Sequence, residues 1–189
     1  MKSILWLLAV IGIASISPAC TSQPQASTNQ PASDSTVNPI QLSDLSDTES
    51  DALANISLMV NEQFSVYGTQ AQFSATGSDF RGGFPPSDKN YNYQIVRTTP
   101  TKVYMTATAN QPNLRSLSAQ IFVIPEASRA NAYNNSPISG SVCVTNTPSL
   151  SAPAEPDDAT VAEPPCPVGS SSMGVLYPQK TNWRFLNVS

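Results

Sequence analysis

The sequence has no histidine, only three cysteines and few charged residues, and each shortage excludes a class of function. Without histidine, a Ser-His-Asp or Cys-His mechanism is impossible, and so are zinc sites that use histidine ligands. Charged residues make up 12% of the chain, and the 9 basic residues stand singly against 13 acidic ones. Because recognition of a phosphate backbone needs clustered Lys and Arg, we predict that the protein does not bind nucleic acid.

The sequence contains only weak indications of other catalytic or metal-binding sites. Asp79 and Asp88 could form a carboxylate pair, but acidic surfaces commonly offer such pairs. The segment 81–84 (Arg-Gly-Gly-Phe) lacks the spacing of a phosphate-binding loop and is typical of a turn. Three acidic residues lie near Cys166, but they lack the spacing of a calcium-binding loop. We interpret them as part of a solvated surface loop: Asp157, Asp158 and Glu163. We therefore predict a protein without enzymatic activity, cofactor or metal.

Residues 1–19 have the layout of a secretory signal peptide. Lys2 precedes an apolar run from Ile4 to Ala14, and a stretch of small residues follows it. A stable membrane span needs about twenty apolar residues, roughly twice the length of this run, so a permanent transmembrane helix is the weaker interpretation. We predict that the chain is exported.

Cys20 directly follows the signal peptide, at a site that resembles a bacterial lipobox. In that motif the cysteine is acylated and becomes the first residue of the mature protein. A lipobox usually has an aliphatic residue three places before the cysteine, where this chain has Ser17. Ser17 and Ala19 also satisfy the small-x-small rule for ordinary signal cleavage, which would release a soluble protein with a free thiol. Lipidation of Cys20 is the favoured prediction, and secretion is the alternative.

The number of cysteines favours lipidation. If Cys20 carries a lipid, an even pair remains, Cys143 and Cys166. An oxidising compartment would favour a disulfide between them, which would contribute about 3 kcal/mol by restricting the unfolded chain. A secreted protein with a leftover reactive thiol is less usual.

The domain boundaries follow from composition. Residues 20–45 are rich in polar residues and proline, which predicts a disordered linker that would hold a lipid-anchored domain away from the membrane. A globular domain is predicted over residues 46–175, with a disulfide loop over 143–166. Residues 176–189 are a carboxy-terminal tail, which would add an edge strand or dock on the domain.

A single helix is predicted at the start of the domain. Ser46 followed by Glu49 is a capping box, and apolar residues then recur at spacings of three and four up to Tyr67. Gly68 stands where a carboxy-terminal cap is expected, so we predict a helix from about 47 to 67.

Four strand-like segments follow, joined by short turns that favour hairpins. The fold class is therefore α+β, with one amino-terminal helix packed on an antiparallel meander. Alternate strand positions carry exposed aromatic residues that could form a contact face, although one side of a half-buried sheet is the better interpretation: Tyr91, Tyr93 and Tyr104. The predicted strands are Tyr91–Arg97, Lys102–Ala109, Leu117–Ile124 and Gly140–Thr145.

Short motifs on this framework resemble the type IV pilin-like G and H proteins of cyanobacteria, from about Ala52 to Val175. The resemblance rests on the segment 61–67 (NEQFSVY) in the helix, Phe73, the segment 90–95 (NYNYQI) and the late cysteine pair. It implies a pilin-like head whose disulfide loop is bounded by Cys143 and Cys166. Polymerising pilins keep a long apolar amino-terminal helix after a prepilin cleavage site, and this chain departs from that pattern.

The combined prediction is a pilin-like head on a lipid anchor. The protein would be exported and attached to a membrane through Cys20, in the periplasm or at the cell surface, with pilus or envelope proteins as partners. The alternative is a soluble secreted binding module or adhesin that recognises a surface ligand.

Overall fold

A computed structural model describes residues 40–156 and 166–178, which belong to a compact unit spanning Thr36–Ser189. One helix precedes a five-stranded antiparallel sheet whose strands neighbour one another in chain order. The prediction of an α+β fold, one helix on an antiparallel meander, is confirmed. The elements are α1 (Asp47–Gln70), β1 (Tyr91–Thr98), β2 (Lys102–Ala109), β3 (Leu117–Val123), β4 (Ile138–Thr145) and β5 (Ser170–Leu176).

The start of α1 is fixed by the predicted capping box. The Ser46 hydroxyl accepts a hydrogen bond from Glu49 N at 3.3 Å, and Glu49 Oε2 accepts one from Ser46 N at 2.8 Å. Two otherwise unpaired backbone donors are thereby satisfied. Leu45 and Ser46 both have extended backbone, so α1 is separated by non-helical chain from the residues before it.

The end of α1 differs from the prediction. Gly68 lies inside the last turn, and the helix continues to Gln70. The left-handed residue that ends it is Ala71, at φ 54°, whose N–H donates to Tyr67 O. The chain turns there because the following residues are held against the helix, with the Phe73 ring 4.8 Å from that of Tyr67.

Helix α1 packs on the middle of the sheet, chiefly on β3 and also on β2 and β4. Gly140 of β4 leaves room for Phe64, since a Cβ atom added at Gly140 would lie 3.2 Å from Phe64 Cζ. We call the helix-covered side of the sheet the inner face and the other side the outer face. The core between helix and inner face is built from aliphatic and thioether side chains, including Ile56, Met59, Val60, Val103, Met105, Leu117, Ile121 and Val142.

The sheet has a fifth strand in addition to the approximately four that were predicted. Residues 170–172 are serines and Gly174 follows at φ 138°, so the segment has little intrinsic β propensity. Pairing with β4 supplies what the local sequence lacks, and the register shifts by one residue between Val142 and Cys143. Val175 and Tyr177 join Phe122, Ile124 and Ala132 in a second apolar cluster.

The domain has structure on the amino-terminal side of Ser46 as well. Ile40 is buried in the core and Leu42–Asp44 form a 3₁₀ turn. The predicted signal peptide, Cys20, most of the predicted linker and residues 179–189 lie outside the described residues. Within the described ranges, no helix is long and apolar enough to cross a membrane.

Candidate functional site on the outer face of the sheet

The structure contains the Cys143–Cys166 disulfide. Cys143 is a buried residue of β4 and Cys166 lies just before β5, with 5.7 Å between their Cα atoms. Because residues 118, 120, 141 and 143 alternate with the core residues of their strands, the bond lies on the outer face. It therefore attaches the segment entering β5 to the side of the sheet away from α1.

The segment after β4 also lies on the outer face. We call residues 146–156 the strap. Ser116 Oγ donates to Ser149 O at 2.6 Å, and the Tyr104 hydroxyl donates to Pro153 O. Glu155 then pairs with Lys102 at 2.8 Å and Arg97 at 3.3 Å, so the strap crosses from the start of β3 to the β1–β2 hairpin.

The outer face has a polar centre. Gln120 of β3 lies between Tyr104 of β2 and Ser141 of β4, as the strand registers show. Ser139 is two residues from Ser141 and lies on the same face. Side chains of this kind usually face water, yet Gln120, Ser139 and Ser141 are each at most 2% exposed.

The three tyrosines considered as a contact face are buried, so that hypothesis is wrong. Tyr91, Tyr93 and Tyr104 are each at most 5% exposed. Burial is the main cause that raises the pKa of each phenol above its ordinary value of 10. Strand alternation assigns residues to a face, but it does not show that both faces of this sheet are covered.

Each of these hydroxyls has a hydrogen-bond partner within the domain. The Tyr91 hydroxyl donates to Arg115 O at 2.8 Å, and Asn55 Nδ2 donates to the Tyr93 hydroxyl at 3.0 Å. Tyr104 holds the strap, as described above. The tyrosines therefore connect elements of the fold to one another.

The two candidate carboxylates serve local structure. Asp88 Oδ1 accepts hydrogen bonds from Asn90 N and Tyr91 N at 2.7 Å each, which shapes the turn into β1. Asp79 Oδ2 accepts one from Ser74 Oγ at 3.2 Å. Asp157, Asp158 and Glu163 lie outside the described residues, and within residues 40–156 and 166–178 no group of three or more acidic or cysteine side chains could hold a metal ion.

The helix segment 61–67 holds the long loop between α1 and β1. Gln63 is fully buried and forms two hydrogen bonds with one residue, because its Nε2 donates to Ser74 O and its Oε1 accepts from Ser74 N, both at 2.8 Å. Next to it, Glu62 accepts from Arg81 N at 2.8 Å and Gly82 N at 3.0 Å. Gly83 N donates a hydrogen bond to Phe80 O at 3.2 Å, which closes a turn overlapping the segment 81–84 where a turn was predicted.

The sequence model of the type IV pilin-like G and H family matches residues 49–167, more than half of the chain. The chain belongs to the type IV pilin-like G and H family. No curated protein and no solved structure matches it. Membership of this family indicates a pilin-type protein that is exported or belongs to the cell envelope.

The matched range of the pilin-like head runs from the helix cap to the residue after Cys166. It includes the strap and both side chains that hold the α1–β1 loop, Glu62 and Gln63. Sequence reasoning used these two residues as part of a family motif and did not assign them a structural role. A polar side chain on the apolar stripe of a helix, as at Gln63, is the signal that would have identified a buried partner.

Proposed function

We propose that this chain is a non-enzymatic envelope protein whose pilin-like head is anchored to a membrane by a lipid on Cys20. The head makes contacts with pilus or envelope proteins in the periplasm or at the cell surface. The capped start of α1 carries this proposal. A helical stalk would need helix continuing through residues 45 and 46, whereas Leu45 and Ser46 are extended and Ser46 closes a capping box.

The ionisable side chains support a role without catalysis. Glu49 is only 2% exposed and is occupied by Ser46 and Arg115. The candidate carboxylates Asp79 and Asp88 are engaged in turns, and the chain contains no histidine. These groups hold the fold together, which suits a domain that works by contact.

Intact mass of the protein from membranes, before and after reduction, tests the anchor. We expect a chain that begins at Cys20 with added acyl mass and gains about two protons on reduction. The variant Cys20→Ser should move the protein to the soluble fraction, and the neighbouring variant Ser22→Ala should leave it in the membrane. An unmodified chain in the soluble fraction contradicts the anchor.

The alternative is a soluble secreted binding module, which the small residues Ser17 and Ala19 favour. The variant Ser17→Leu separates the two cases. Leucine completes a lipobox, so an anchored protein keeps its processing, whereas ordinary cleavage needs a small residue at that place and should slow down. Accumulation of uncleaved precursor in this variant would support the alternative.

Photo-crosslinking from exposed positions tests the contact function. Val96 on β1 and Leu150 on the strap are 54% and 55% exposed, so a photoreactive residue at either place leaves the core intact. We expect adducts with envelope proteins on living cells, and none from a matched label at buried Val103. A label that captures only glycan would favour the binding module.

A further inference from the structure

Within the described residues, four buried polar atoms on the outer face have no hydrogen-bond partner. They are Gln120 Oε1, Gln120 Nε2, Ser139 Oγ and Ser141 Oγ. Apart from Glu155 Oε1, which pairs with Lys102, the described residues contain two other buried side-chain atoms without a partner, Asn61 Oδ1 and Arg115 Nε. Such atoms are therefore concentrated in one place, which we call the outer-face polar cluster.

The strand register brings the three side chains together. Gln120 pairs with Ser141 across β3 and β4, and Ser139 lies next to it on the same side of β4. The cluster offers two amide hydrogens, an amide oxygen and two hydroxyls that both donate and accept. Ser141 stands opposite Gln120 and Ser139 stands opposite Phe122, and both serines have short side chains.

A dry cluster would be costly for the fold. Each buried polar group without a partner costs free energy comparable to a lost hydrogen bond, and buried polar groups in native proteins are rarely left so. A buried water typically makes about three hydrogen bonds to groups of this kind. We propose that Gln120, Ser139 and Ser141 form a binding site for ordered water on the outer face of the sheet.

Water is the ligand class that fits, because it donates and accepts at once and the cluster needs both. The site is independent of the lipid anchor and of any partner protein. It predicts that the outer face is partly hydrated at this cluster, whereas α1 packs on the inner face by direct apolar contact.

Oxygen-17 relaxation dispersion of the purified full chain counts long-lived water molecules and tests the proposal. We expect Gln120→Met to lose at least one such water relative to the wild type. The exposed residue Gln94 of β1 provides the control, and Gln94→Met should leave the count unchanged. Equal counts in wild type and Gln120→Met would overturn the proposal.

The stability of Gln120→Met is a second test, because a hydrated cluster and a dry cluster predict changes of different sign. If water satisfies the cluster, Gln120→Met removes its main partner and the urea midpoint falls. If the cluster is dry, the same change removes unpaired polar atoms and the midpoint rises or stays constant. A midpoint that is constant or raised therefore overturns the proposal.

Discussion

Glu49 and Arg115 join the first turn of α1 to the connection between β2 and β3. Arg115 N donates to Glu49 Oε1 at 2.8 Å, and Arg115 Nη1 lies 3.3 Å from Glu49 Oε2. The same carboxylate closes the capping box with Ser46. One buried side chain thus caps the start of α1 and fixes it to the β2–β3 connection.

Acid should weaken the domain through Glu49. Burial by itself raises the pKa of this carboxyl, but hydrogen bonds from Ser46 and Arg115 and the charge of Arg115 together lower it below 4.5. Because the folded pKa is the lower one, the stabilisation is present above the unfolded value of about 4.3 and is lost as the pH falls through the folded pKa. Urea midpoints measured from pH 6 downwards should show this loss.

The variant Glu49→Gln provides the comparison for that titration. It should lower the free energy of unfolding by about 2 kcal/mol at neutral pH, since hydrogen bonds to a charged group are weakened. Its urea midpoint should change less with acid than that of the wild type. Equal acid sensitivity in both proteins would contradict the assignment to Glu49.

Gln63→Leu should destabilise the protein by about 3 kcal/mol, because buried Ser74 N loses its partner and Ser74 O keeps only the 3.5 Å hydrogen bond from Thr98 Oγ1. Volume is nearly conserved, so packing contributes little. Chemical denaturation measures the change. The exposed residue Gln70 of the same helix is the control, and Gln70→Leu should alter stability by less than about 0.5 kcal/mol.

The same substitution at two glycines should have opposite effects. Gly140→Ala places a methyl group 3.2 Å from Phe64 Cζ and 3.3 Å from Ile121 Cγ1, and overpacking of this kind costs about 1–3 kcal/mol. Gly68→Ala meets nothing within 4 Å and should stabilise the helix by up to about 1 kcal/mol. Thermal unfolding of the two variants checks both signs.

A double-mutant cycle of Gly140→Ala with Phe64→Leu tests whether Phe64 is the neighbour that the new methyl group crowds. Phe64→Leu removes the ring carbon nearest the new methyl group, so Gly140→Ala should cost less in that background. Additive losses would show that the methyl group of Gly140→Ala is limited by another neighbour.

Alkaline titration checks the burial of Tyr91, Tyr93 and Tyr104. Their raised pKa values mean that these phenols ionise above pH 10 in the folded protein. Stability is therefore fully present below the unfolded pKa of about 10 and is lost as the pH rises through the folded values. Absorbance of tyrosinate should increase in a late, cooperative step that coincides with loss of the fold.

Phenylalanine variants separate the three contributions. Tyr91→Phe should remove the hydrogen bond to Arg115 O and part of the late step. If the absorbance instead follows a single simple titration near pH 10 with the fold intact, the tyrosines are accessible to solvent.

Local signals in the sequence predicted the elements that they define. The capping box at Ser46 and Glu49 placed the start of α1, and strand alternation placed β2 within its observed bounds. The prediction that α1 ends before Gly68 was wrong because contacts of Gln63 and Tyr67 with the following loop set the end of the helix. The polar segment 170–172 becomes part of a strand through pairing with β4, which a single segment does not reveal.

The outer face was the least predictable part. Polar residues such as Thr106, Ser118 and Gln120 alternate with apolar residues along their strands, and this pattern predicts that the face is exposed to solvent. The strap crosses this face, but its proline-rich sequence has no periodicity that would indicate contact with a sheet. The polar partners of the strap, Tyr104 and Lys102, are distant in sequence from it.

The arrangement of α1 on the sheet has a mechanical consequence. Its first turn contacts Arg115 beside the start of β3, and the residues after its end contact Thr98 at the β1–β2 hairpin, so the helix runs along the strands. A pull between the amino-terminal end of the domain and a partner at the hairpin end is therefore directed along the strands. Under that load α1 is pulled lengthwise along the inner face of the sheet, so the contacts along the helix resist together instead of breaking one after another.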